Sequence, residues 1–588
     1  MPYKQSLFSN ITTKNNQPMF KGHPKGLYVA FFANMGERFG FYTMMAILVL
    51  FLQAKFGLDA DKAGSIYSVF YFSIYALALL GGFIADRSQN YKGTIMVGIF
   101  VMFAGYLLMA TPGMGLTFTL VGLFTIAIGN GLFKGNLQAL VGQLYDDPKY
   151  SKLRDSAFSV FYMGINVGAF FAPSAASALR TWYLKSNGFA YDADLPGLCH
   201  KLLSNKHLDM AKLQDLADKA TMSHVHVTNL KAFATEYINV FSTGYNYAFG
   251  VAAFAMVVSL LTYVIFKKHL PNRKEMAKNN PSLVKMSWEE EKKRLIALGL
   301  VFFVVIFFWM SFHQNGLSLT MFARDYMTKT VDPVTNIMFY MPALLSLVAA
   351  IAGIVLLIQK KKPDLSNELN ATSFATGSSD LPKGYLMNKM IGAVLTIAGG
   401  YLVYYFYKGM LKANPIAPEI FQQFNPLFIV VLTPLVVWFF GWLRNRDIEP
   451  STPKKIGIGM ILAALGFVVL IVSSAGLVSQ AHLAGEPSPD RISAHWLIST
   501  YMVLTFAELF LSPMGISFVS KVSPPRFQGV MQGGWFAATA IGNLFLWVGS
   551  YLYARVEFWQ VWSFFVIILL LSATFIFSIM KRLEAATK

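Results

Sequence analysis

The sequence is poor in charge and has almost no cysteine. Asp, Glu, Lys and Arg make up 13% of its 588 residues, and Cys199 is the single cysteine. One cysteine excludes a disulfide within the chain, so the fold needs another source of stability. With 55% hydrophobic residues and so few charges, the composition excludes an ordinary soluble domain. The chain is predicted to be a polytopic membrane protein.

Several functional signatures are missing as well. The first 25 residues hold no compact apolar core with a cleavage site, so we expect no removable signal peptide. The sequence has no Ser/His/Asp constellation, no H-E-x-x-H zinc pair and no phosphate-binding glycine loop. We therefore expect no enzyme activity, no metal and no cofactor. Basic residues lie between apolar runs rather than in one aromatic-rich patch, which argues against nucleic acid as a partner.

What the sequence does have is a series of long apolar runs. A bilayer crossing takes about 20 apolar residues, and fourteen runs are compatible with it. They predict an all-α fold whose first expected partner is membrane lipid. The runs are 26–53, 62–86, 93–111, 116–144, 154–178, 243–266, 295–322, 336–359, 385–408, 421–443, 455–477, 493–520, 526–553 and 557–580.

Basic residues decide the predicted orientation. The segment 267–294 carries nine Lys or Arg against four Glu, so the positive-inside rule places it in the cytoplasm. An even number of spans puts both termini on that same side. The segment 180–242, with seven basic and six acidic residues, then falls outside.

Few ionisable side chains lie at bilayer depth, where a charge is costly and by default marks a functional site. They are Glu37, Arg38, Lys134, His313 and Glu508. Lys134 needs a carboxylate or water, and Glu508 has a similar depth in its span. We expect Glu508 to be the counter-charge of Lys134, directly or across a substrate. A static Lys134–Glu508 bridge is the structural alternative.

The first span carries a polar stripe that is predicted to face the interior of the helix bundle. Its positions follow the i, i+3, i+4, i+7, i+8 spacing of one helical face. The residues are Asn34, Glu37, Arg38, Phe41 and Tyr42. A Glu37–Arg38 pair that only locks this span is the alternative interpretation.

Glycines predict close helix contacts at two places. Gly129, Gly131 and Gly135 surround Lys134 in the fourth span, where a neighbouring helix is expected to approach. The segment GGFIADR ends the second span with Gly82, Asp86 and Arg87. We assign Gly82 a helix contact, and Asp86 and Arg87 a gating or packing role rather than a substrate contact.

Five ordered segments resemble the proton-dependent oligopeptide transporter family of the major facilitator superfamily. NMGERFGFYTM is similar to the E-x-x-E-R-F signature of its first helix and GLFKGN to its fourth-helix lysine motif. FYMGINVGAFFAP, FNPLFIVVLTP and ELFLSPMGISF are similar to segments of its fifth, eighth and tenth helices. The resemblance covers 26–322 and 420–580. It implies two six-helix bundles around a central cavity, plus two inserted helices.

The resemblance also implies a division of the chain. It gives a cytoplasmic tail 1–25, an N-terminal bundle 26–266 with the outer loop 180–242, a cytoplasmic linker 267–294, a C-terminal bundle 295–335 and 409–580, an inserted hairpin 336–408 and a tail 581–588. Bacterial members usually carry the extra helices between the two bundles, so the position of this insertion is a departure.

The function implied by the resemblance is import of di- and tripeptides by proton-coupled alternating access. Its proton-coupling residues would be Glu37, Arg38, His313 and Glu508. Its substrate-binding residues would be Tyr42, Tyr75, Lys134, Asn166, Asn425, Glu508 and Trp535. A short peptide is a zwitterion, so a cavity with a cation at one end and an anion at the other suits it.

Three positions depart from the family pattern. Asn34 replaces the first Glu of the signature, Met45 replaces a common Arg, and His313 replaces an acid of the seventh helix. Asn34 cannot titrate. The other two changes predict an outer gate closed by packing, or by hydrogen bonds through His313 and Asn315. His313 is either a substitute proton carrier or a packing residue.

Two other functions stay open on the sequence alone. The three departures are compatible with an uncoupled or differently coupled carrier of another small peptide-like or anionic metabolite. A non-transporting receptor would use the segment 180–242 and the inserted helices for protein partners. In each case we expect a bacterial cytoplasmic membrane.

Overall fold

The computed structural model describes residues 22–146, 149–150, 153–223, 225–271, 286–358, 383–483, 485–524 and 527–587. Within these ranges, fourteen helical segments are long and apolar enough to cross a membrane, which confirms the predicted number. Helices suit these apolar runs because each satisfies its backbone hydrogen bonds internally, where lipid offers no partners. The segment 272–285 of the predicted linker and the residues 1–21 lie outside the described residues.

The first six spans, with two short helices between the fifth and sixth, are called the N half below. Its helices are α1 (Lys25–Phe56), α2 (Ala60–Ser88), α3 (Tyr91–Ala110), α4 (Leu116–Gln143), α5 (Arg154–Ser186), α6 (Leu195–Leu203), α7 (Met210–Ala220) and α8 (Leu230–Phe266). A 3₁₀ turn, Lys267–His269, follows. Side-chain caps start several of these helices; Asp59, for example, accepts the Lys62 backbone N–H (2.9 Å).

The predicted outer segment 180–242 is corrected by the structure. α5 continues to Ser186 and α8 already begins at Leu230, where Asn229 caps it by accepting the Ala232 N–H (3.1 Å). Both helices project beyond their apolar runs because helical hydrogen bonding does not require lipid. The segment between them contains α6 and α7.

The seventh span is a broken helix. It consists of α9 (Trp288–Phe312), a 3₁₀ turn (His313–Gly316) and α10 (Ser318–Tyr326). A 3₁₀ stretch inside a span interrupts the regular i→i+4 hydrogen bonds, so it marks a point where direction can change.

Residues Thr328–Ala417 cluster as a compact unit of their own. The strands β1 (Thr330–Val331) and β2 (Asn414–Pro415) pair antiparallel, and the unit also holds the helices α11 (Pro333–Asn336), α12 (Met341–Ile358) and α13 (Lys383–Lys408). α12 and α13 pack closely at glycines: a Cβ on Gly353 would lie 2.6 Å from the Gly392 carbonyl oxygen. The predicted hairpin 336–408 falls within this unit, and its connection 359–382 lies outside the described residues.

The remaining spans, together with α9 and α10, are called the C half below. They begin with a 3₁₀ segment (Pro418–Gln423) that leads directly into α14 (Phe424–Arg444). The other helices are α15 (Thr452–Ser473), α16 (Gln480–Leu483), α17 (Ala494–Val522), α18 (Gln528–Leu544), α19 (Trp547–Tyr553), α20 (Phe558–Ser578) and α21 (Met580–Thr587).

Glycine contacts in the N half agree with the prediction in part. A Cβ on Gly129 would lie 2.5 Å from the Met102 nitrogen, whereas Gly135 has 3.9 Å of space to the nearest atom. The contact predicted for Gly82 is wrong: nothing lies within 4 Å of its Cβ position. Gly81 makes that contact instead, against the carbonyl of Gly131. Successive residues point about 100° apart, so the preceding glycine faces α4.

Contacts between helix ends show which ends of several spans lie together. His23, just before α1, lies 2.7 Å from the hydroxyl of Tyr145, just after α4. At the other end of α1, Gln53 accepts a hydrogen bond from Arg324 of α10 (2.7 Å). The end at which α1, α5 and α10 finish is called the distal end below.

Candidate functional site

The polar stripe of α1 is buried, as its spacing predicted. Asn34, Glu37, Arg38 and Phe41 are buried and Tyr42 is partly buried. The long apolar helix holds these polar groups in place, and their side chains must find partners inside the bundle because lipid supplies none.

The Glu37 carboxylate has partners on two helices. Arg38 donates to both of its oxygens, from Nε (2.5 Å) and from a terminal nitrogen (2.7 Å), and Asn130 of α4 adds a third hydrogen bond (2.6 Å). The Glu37–Arg38 pair of the alternative interpretation is therefore present. Asn130 is fully buried and was missed in the sequence, because a search for ionisable groups passes over an amide.

Lys134 has an aromatic partner rather than an acidic one. Its ammonium lies 3.5 Å from the ring centroid of Tyr75, a cation–π contact between α4 and α2. Among the described residues no carboxylate lies within 4 Å of it, so the static Lys134–Glu508 bridge is absent from this structure. Lys134 is close enough to Glu37, Arg38 and His313 to interact with them electrostatically.

Glu508 of α17 is held by an amide. Asn425 of α14 donates to its carboxylate (2.8 Å) and also to the Thr505 hydroxyl (3.1 Å). Within the part of the chain that the structure describes, no basic side chain pairs with Glu508. The carboxylate lies close enough to Tyr42 and Tyr75 of the N half to interact with them electrostatically.

The site therefore holds two partly buried opposite charges that do not neutralise each other. Lys134 belongs to the N half and Glu508 to the C half, and each has only uncharged direct partners among the described residues. A partly buried charge at bilayer depth is costly without an opposite partner, so this arrangement suits a ligand that carries both charges.

Other predicted site residues have partners other than Lys134 and Glu508. Asn166 donates to the Tyr162 carbonyl within α5 (3.2 Å), and the ring of Trp535 on α18 lies against Gly515. Asp86 and Arg87 are exposed at the end of α2, where Tyr91 donates to the Asp86 carboxylate. The substrate roles of the first two and the gating role of the last two stay predictions.

His313 is packed on both faces. Its ring lies 4.7 Å from the ring centroids of Trp309 and of Tyr71, and its Nδ1 lies 2.6 Å from the Asn543 amide oxygen. Tyr71 belongs to the N half and Asn543 to the C half. The ring packing of His313 thus crosses between the halves, whereas its hydrogen bond does not.

An outer gate closed by packing, or by hydrogen bonds through His313 and Asn315, stays a prediction, and the structure adds ion pairs between the halves. Asn315 accepts the Tyr501 hydroxyl through its backbone (2.8 Å), a contact within the C half. Four ion pairs join the halves among the described residues, all at the distal end. They are Arg180–Glu419, Asp194–Arg491 (2.8 Å), Lys201–Glu486 (2.6 Å) and Asp61–Arg555. Met45, the position that lost a charge, is buried in α1.

These pairs were missed because their residues lie outside the predicted apolar runs. Arg180 falls beyond the predicted span 154–178, and Glu419 precedes the span 421–443. The available signal was the sequence TWYL that follows Arg180, which is apolar enough to continue α5. Among the described residues no group of three His, Cys, Asp or Glu is arranged as metal ligands.

A match to the sequence model of one protein family shows which family the chain belongs to. The model described as POT family matches residues 92–288 and 404–559. The chain belongs to the POT family. It is 27% identical to the peptide transporter YePEPT of Yersinia enterocolitica subsp. palearctica serotype O:3 (strain YE-P4), over 91% of this chain and 89% of that one. It is 26% identical to the uncharacterized transporter YclF of Bacillus subtilis (strain 168), over 91% and 88%.

A further POT-family relative is the di-/tripeptide transporter of Lactococcus lactis subsp. cremoris, 25% identical over 88% of this chain and 87% of that one. Solved structures share the fold. A POT family transporter in complex with 5-aminolevulinic acid has a TM-score of 0.63 at 18% identity, covering 97% and 98% of the two chains. The peptide transporter POT in complex with sulfate gives 0.62 at 21% identity, covering 96% of each. The expected major facilitator fold, and with it a multi-pass integral membrane protein, is confirmed.

Proposed function

We propose that this POT-family chain imports di- and tripeptides by proton-coupled alternating access. The observation that carries the proposal is a pair of partly buried opposite charges without a direct ion-pair partner among the described residues, Lys134 in one half and Glu508 in the other. In the proposed complex the peptide carboxylate binds Lys134 and its amine binds Glu508, with the Asn425 amide beside the amine. Peptide binding then draws the two halves together, because each charge gains a partner from the same molecule. The names of the relatives in Yersinia and Lactococcus support this substrate class.

We place the distal end outside a bacterial cytoplasmic membrane and both termini in the cytoplasm. The excess of Lys and Arg in 267–294 supports this orientation. The four ion pairs between the halves then close the outer gate. Segments 26–266 and 295–335 with 409–580 serve as the two moving bundles, and 336–408 serves as an accessory hairpin.

Proton coupling is assigned to the Glu37–Arg38 pair. A protonated Glu37 accepts hydrogen bonds less strongly, so it releases the Arg38 guanidinium for other contacts. Arg38 lies over the Phe41 ring (4.9 Å) and in electrostatic range of Lys134, so its release reaches the substrate site. Inward movement of one proton gains about 2.3 kcal/mol per 100 mV of membrane potential.

The test is uptake of a labelled dipeptide into proteoliposomes, with and without an inward proton gradient. We expect the gradient to accelerate uptake by the wild-type protein and to have no effect on Glu37→Gln. Asp215→Asn, which removes an exposed carboxylate of α7, is the matched control and should behave like the wild type. Uptake that ignores both the gradient and Glu37→Gln would refute the coupling.

A second candidate is a carrier of another small peptide-like or anionic metabolite. Asn34 favours it, because this buried residue offers an amide where the family has a titratable acid, and its Nδ2 lacks a hydrogen-bond partner among the described residues. Any ligand that binds only the folded state raises the melting temperature. Stabilisation by non-peptide anions but not by dipeptides would select this candidate.

A further inference from the structure

The hydrogen bonds around Glu37 suit its ionised form. Arg38 donates two of them, and Asn130 donates the third to Oε1, an oxygen that also accepts from Arg38. An ionised carboxylate only accepts hydrogen bonds, so three donors match it well. A protonated carboxyl group also donates one hydrogen bond. The protonated form of Glu37 therefore needs an acceptor nearby.

Two unused acceptors lie in the surroundings of Glu37. They are the amide oxygen Oδ1 of Asn130 and the hydroxyl of Tyr106, and neither has a hydrogen-bond partner among the described residues. Asn130 is 0% exposed and Tyr106 is 1% exposed. A buried polar atom without a partner is costly and calls for an explanation. A second hydrogen-bonding arrangement, in which both atoms are used, supplies one.

Helix packing brings Tyr106 of α3 towards Asn130 of α4. The two helices are in close contact there, since the Asn130 Nδ2 lies 3.8 Å from the Met102 sulfur. Tyr106 follows Met102 by one helical turn on the same face, and a helical side chain leans towards the N-terminal end of its helix. The Tyr106 ring is therefore directed back towards Met102 and Asn130. Tyr106 is also close enough to Glu37 to interact with it electrostatically.

Other titratable groups surround the Glu37–Arg38 pair. Those of the described residues in electrostatic range of either member are Tyr42 on α1, Tyr71 and Tyr75 on α2, Tyr106 on α3 and Lys134 on α4. α5 and α8 also pack against this part of α1, where they present Gly168 and Ser259, which do not titrate. Asn130 is uncharged as well, so it can exchange hydrogen bonds without moving a charge.

We propose that Asn130 is an amide switch that responds to the protonation of Glu37, with Tyr106 as its second partner. When Glu37 is ionised, Nδ2 of Asn130 donates to it, as in this structure. When a proton binds Oε1 of Glu37, the Asn130 amide turns over about its Cβ–Cγ bond. Its Oδ1 then accepts the new O–H, and its Nδ2 donates to the Tyr106 hydroxyl. This role rests on the proposed proton coupling at Glu37, and it assigns a step to two residues that the signature of α1 does not include.

The turned amide stabilises the protonated form of Glu37. The terminal torsion of Asn has a broad, roughly two-fold profile, so turning the amide over costs little. After the turn, Oδ1 of Asn130 and the Tyr106 hydroxyl both have partners. A protonated carboxyl group accepts hydrogen bonds less strongly, so Arg38 leaves it more easily while Asn130 keeps the proton in a hydrogen bond.

The test is the pH profile of dipeptide uptake into proteoliposomes by Tyr106→Phe. Uptake by the wild-type protein should rise as the outside pH falls and Glu37 fills with protons. Without the hydroxyl the protonated state loses a partner, so we expect the midpoint of the profile to move to lower pH by roughly 0.5–1 unit, the equivalent of one ordinary hydrogen bond. The melting temperature near neutral pH should not change, because the hydroxyl has no partner among the described residues when Glu37 is ionised. Tyr263→Phe removes a buried hydroxyl of α8 that donates to the Lys92 carbonyl (3.3 Å), and this matched control should keep the wild-type midpoint.

The double variant of Tyr106→Phe and Asn130→Leu shows whether Tyr106 acts through Asn130. If it does, Tyr106→Phe moves the midpoint no further in the Asn130→Leu background, because the amide that connects Tyr106 to Glu37 is already gone. A full further shift in the double variant would overturn the switch. Should Asn130→Leu not fold, Tyr106→Phe alone decides.

An unchanged midpoint in Tyr106→Phe would also overturn the switch. It would leave the proposed proton coupling in place if the wild-type profile depends on pH and Glu37→Gln abolishes that dependence. A wild-type profile that does not depend on pH would overturn the coupling and the switch together. The two failures are therefore distinguished by the wild-type and Glu37→Gln profiles.

Discussion

The centre of the molecule and its distal end use charges in opposite ways. At the centre, Lys134 and Glu508 have only uncharged direct partners among the described residues. At the outer end, Arg180 and Glu419 are fully buried against each other. A partly buried charge without an opposite partner favours a ligand, whereas a buried ion pair favours contact between the halves. Changes at the centre should therefore affect transport most, and changes at the outer end should affect stability or the position of the gate.

The largest expected effect is at the centre. Lys134→Met should lower dipeptide uptake at least about 100-fold, because removing a charged partner from a buried contact costs roughly 2–5 kcal/mol. The melting temperature should not fall, since no carboxylate loses a direct partner. Lys219→Met, at an exposed pair in α7, is the control. Near-normal uptake by Lys134→Met would remove the distinction between the two regions.

A change at the outer end should reverse this pattern. Arg491→Gln removes a bidentate contact with Asp194 (2.8 and 3.0 Å) and weakens the bonds to the Arg324 and Met327 carbonyls. We expect a loss of about 2 kcal/mol in the free energy of unfolding, typical for hydrogen bonds to charged groups. Thermal unfolding in detergent measures it. A large loss of uptake without any loss of stability would contradict the comparison.

Asn130→Leu is expected to affect uptake less than Lys134→Met and stability less than Arg491→Gln. Glu37 loses one of its three hydrogen bonds but keeps the two from Arg38. We therefore expect a loss of about 1 kcal/mol in the free energy of unfolding and a less than tenfold fall in proton-driven uptake. Exchange of dipeptide without a gradient is the second readout and should change less. An equal fall in both would assign Asn130 to substrate binding or folding rather than to the proton step.

The smallest effect is expected at Glu449, in the loop after α14. Hydrogen bonds from Arg444, and then from Lys455, lower the pKa of the Glu449 carboxyl to about 2. A lowered pKa stabilises the fold above the ordinary value of 4.5, and this contribution is lost as the pH falls towards 2. Glu449→Gln should cost at most about 1 kcal/mol near neutral pH. Melting temperatures between pH 7 and pH 3 should decline less in this variant than in the wild type.

The fold was largely predictable because lipid imposes a simple rule on sequence. Each of the fourteen spans needs an apolar run, and the runs were visible. The helix ends were less predictable. α8 begins before its predicted apolar run, and α5 continues beyond its own. These helix ends lie in water or against α6 and α7, where hydropathy gives no signal that a helix continues.

The site was predictable in its charges and not in their partners. Glu37, Arg38, Lys134 and Glu508 are conspicuous at bilayer depth, yet their neighbours Asn130 and Tyr75 are ordinary in sequence. Arg180 and Glu419 are 239 residues apart, and each lies at the edge of an apolar run. Such an ion pair forms only when the two halves meet in the folded chain, so no local sequence pattern predicts it.

The break in the seventh span has a mechanical consequence. Between α9 and α10 the 3₁₀ turn His313–Gly316 replaces a stiff helix by a joint four residues long. The joint lies beside the stacked rings of Trp309, His313 and Tyr71, which fix its inner side. α10 can therefore differ in tilt from α9, because the turn between them interrupts the regular helix. A change in the tilt of α10 then need not be transmitted along the whole span, as it would be in one straight helix.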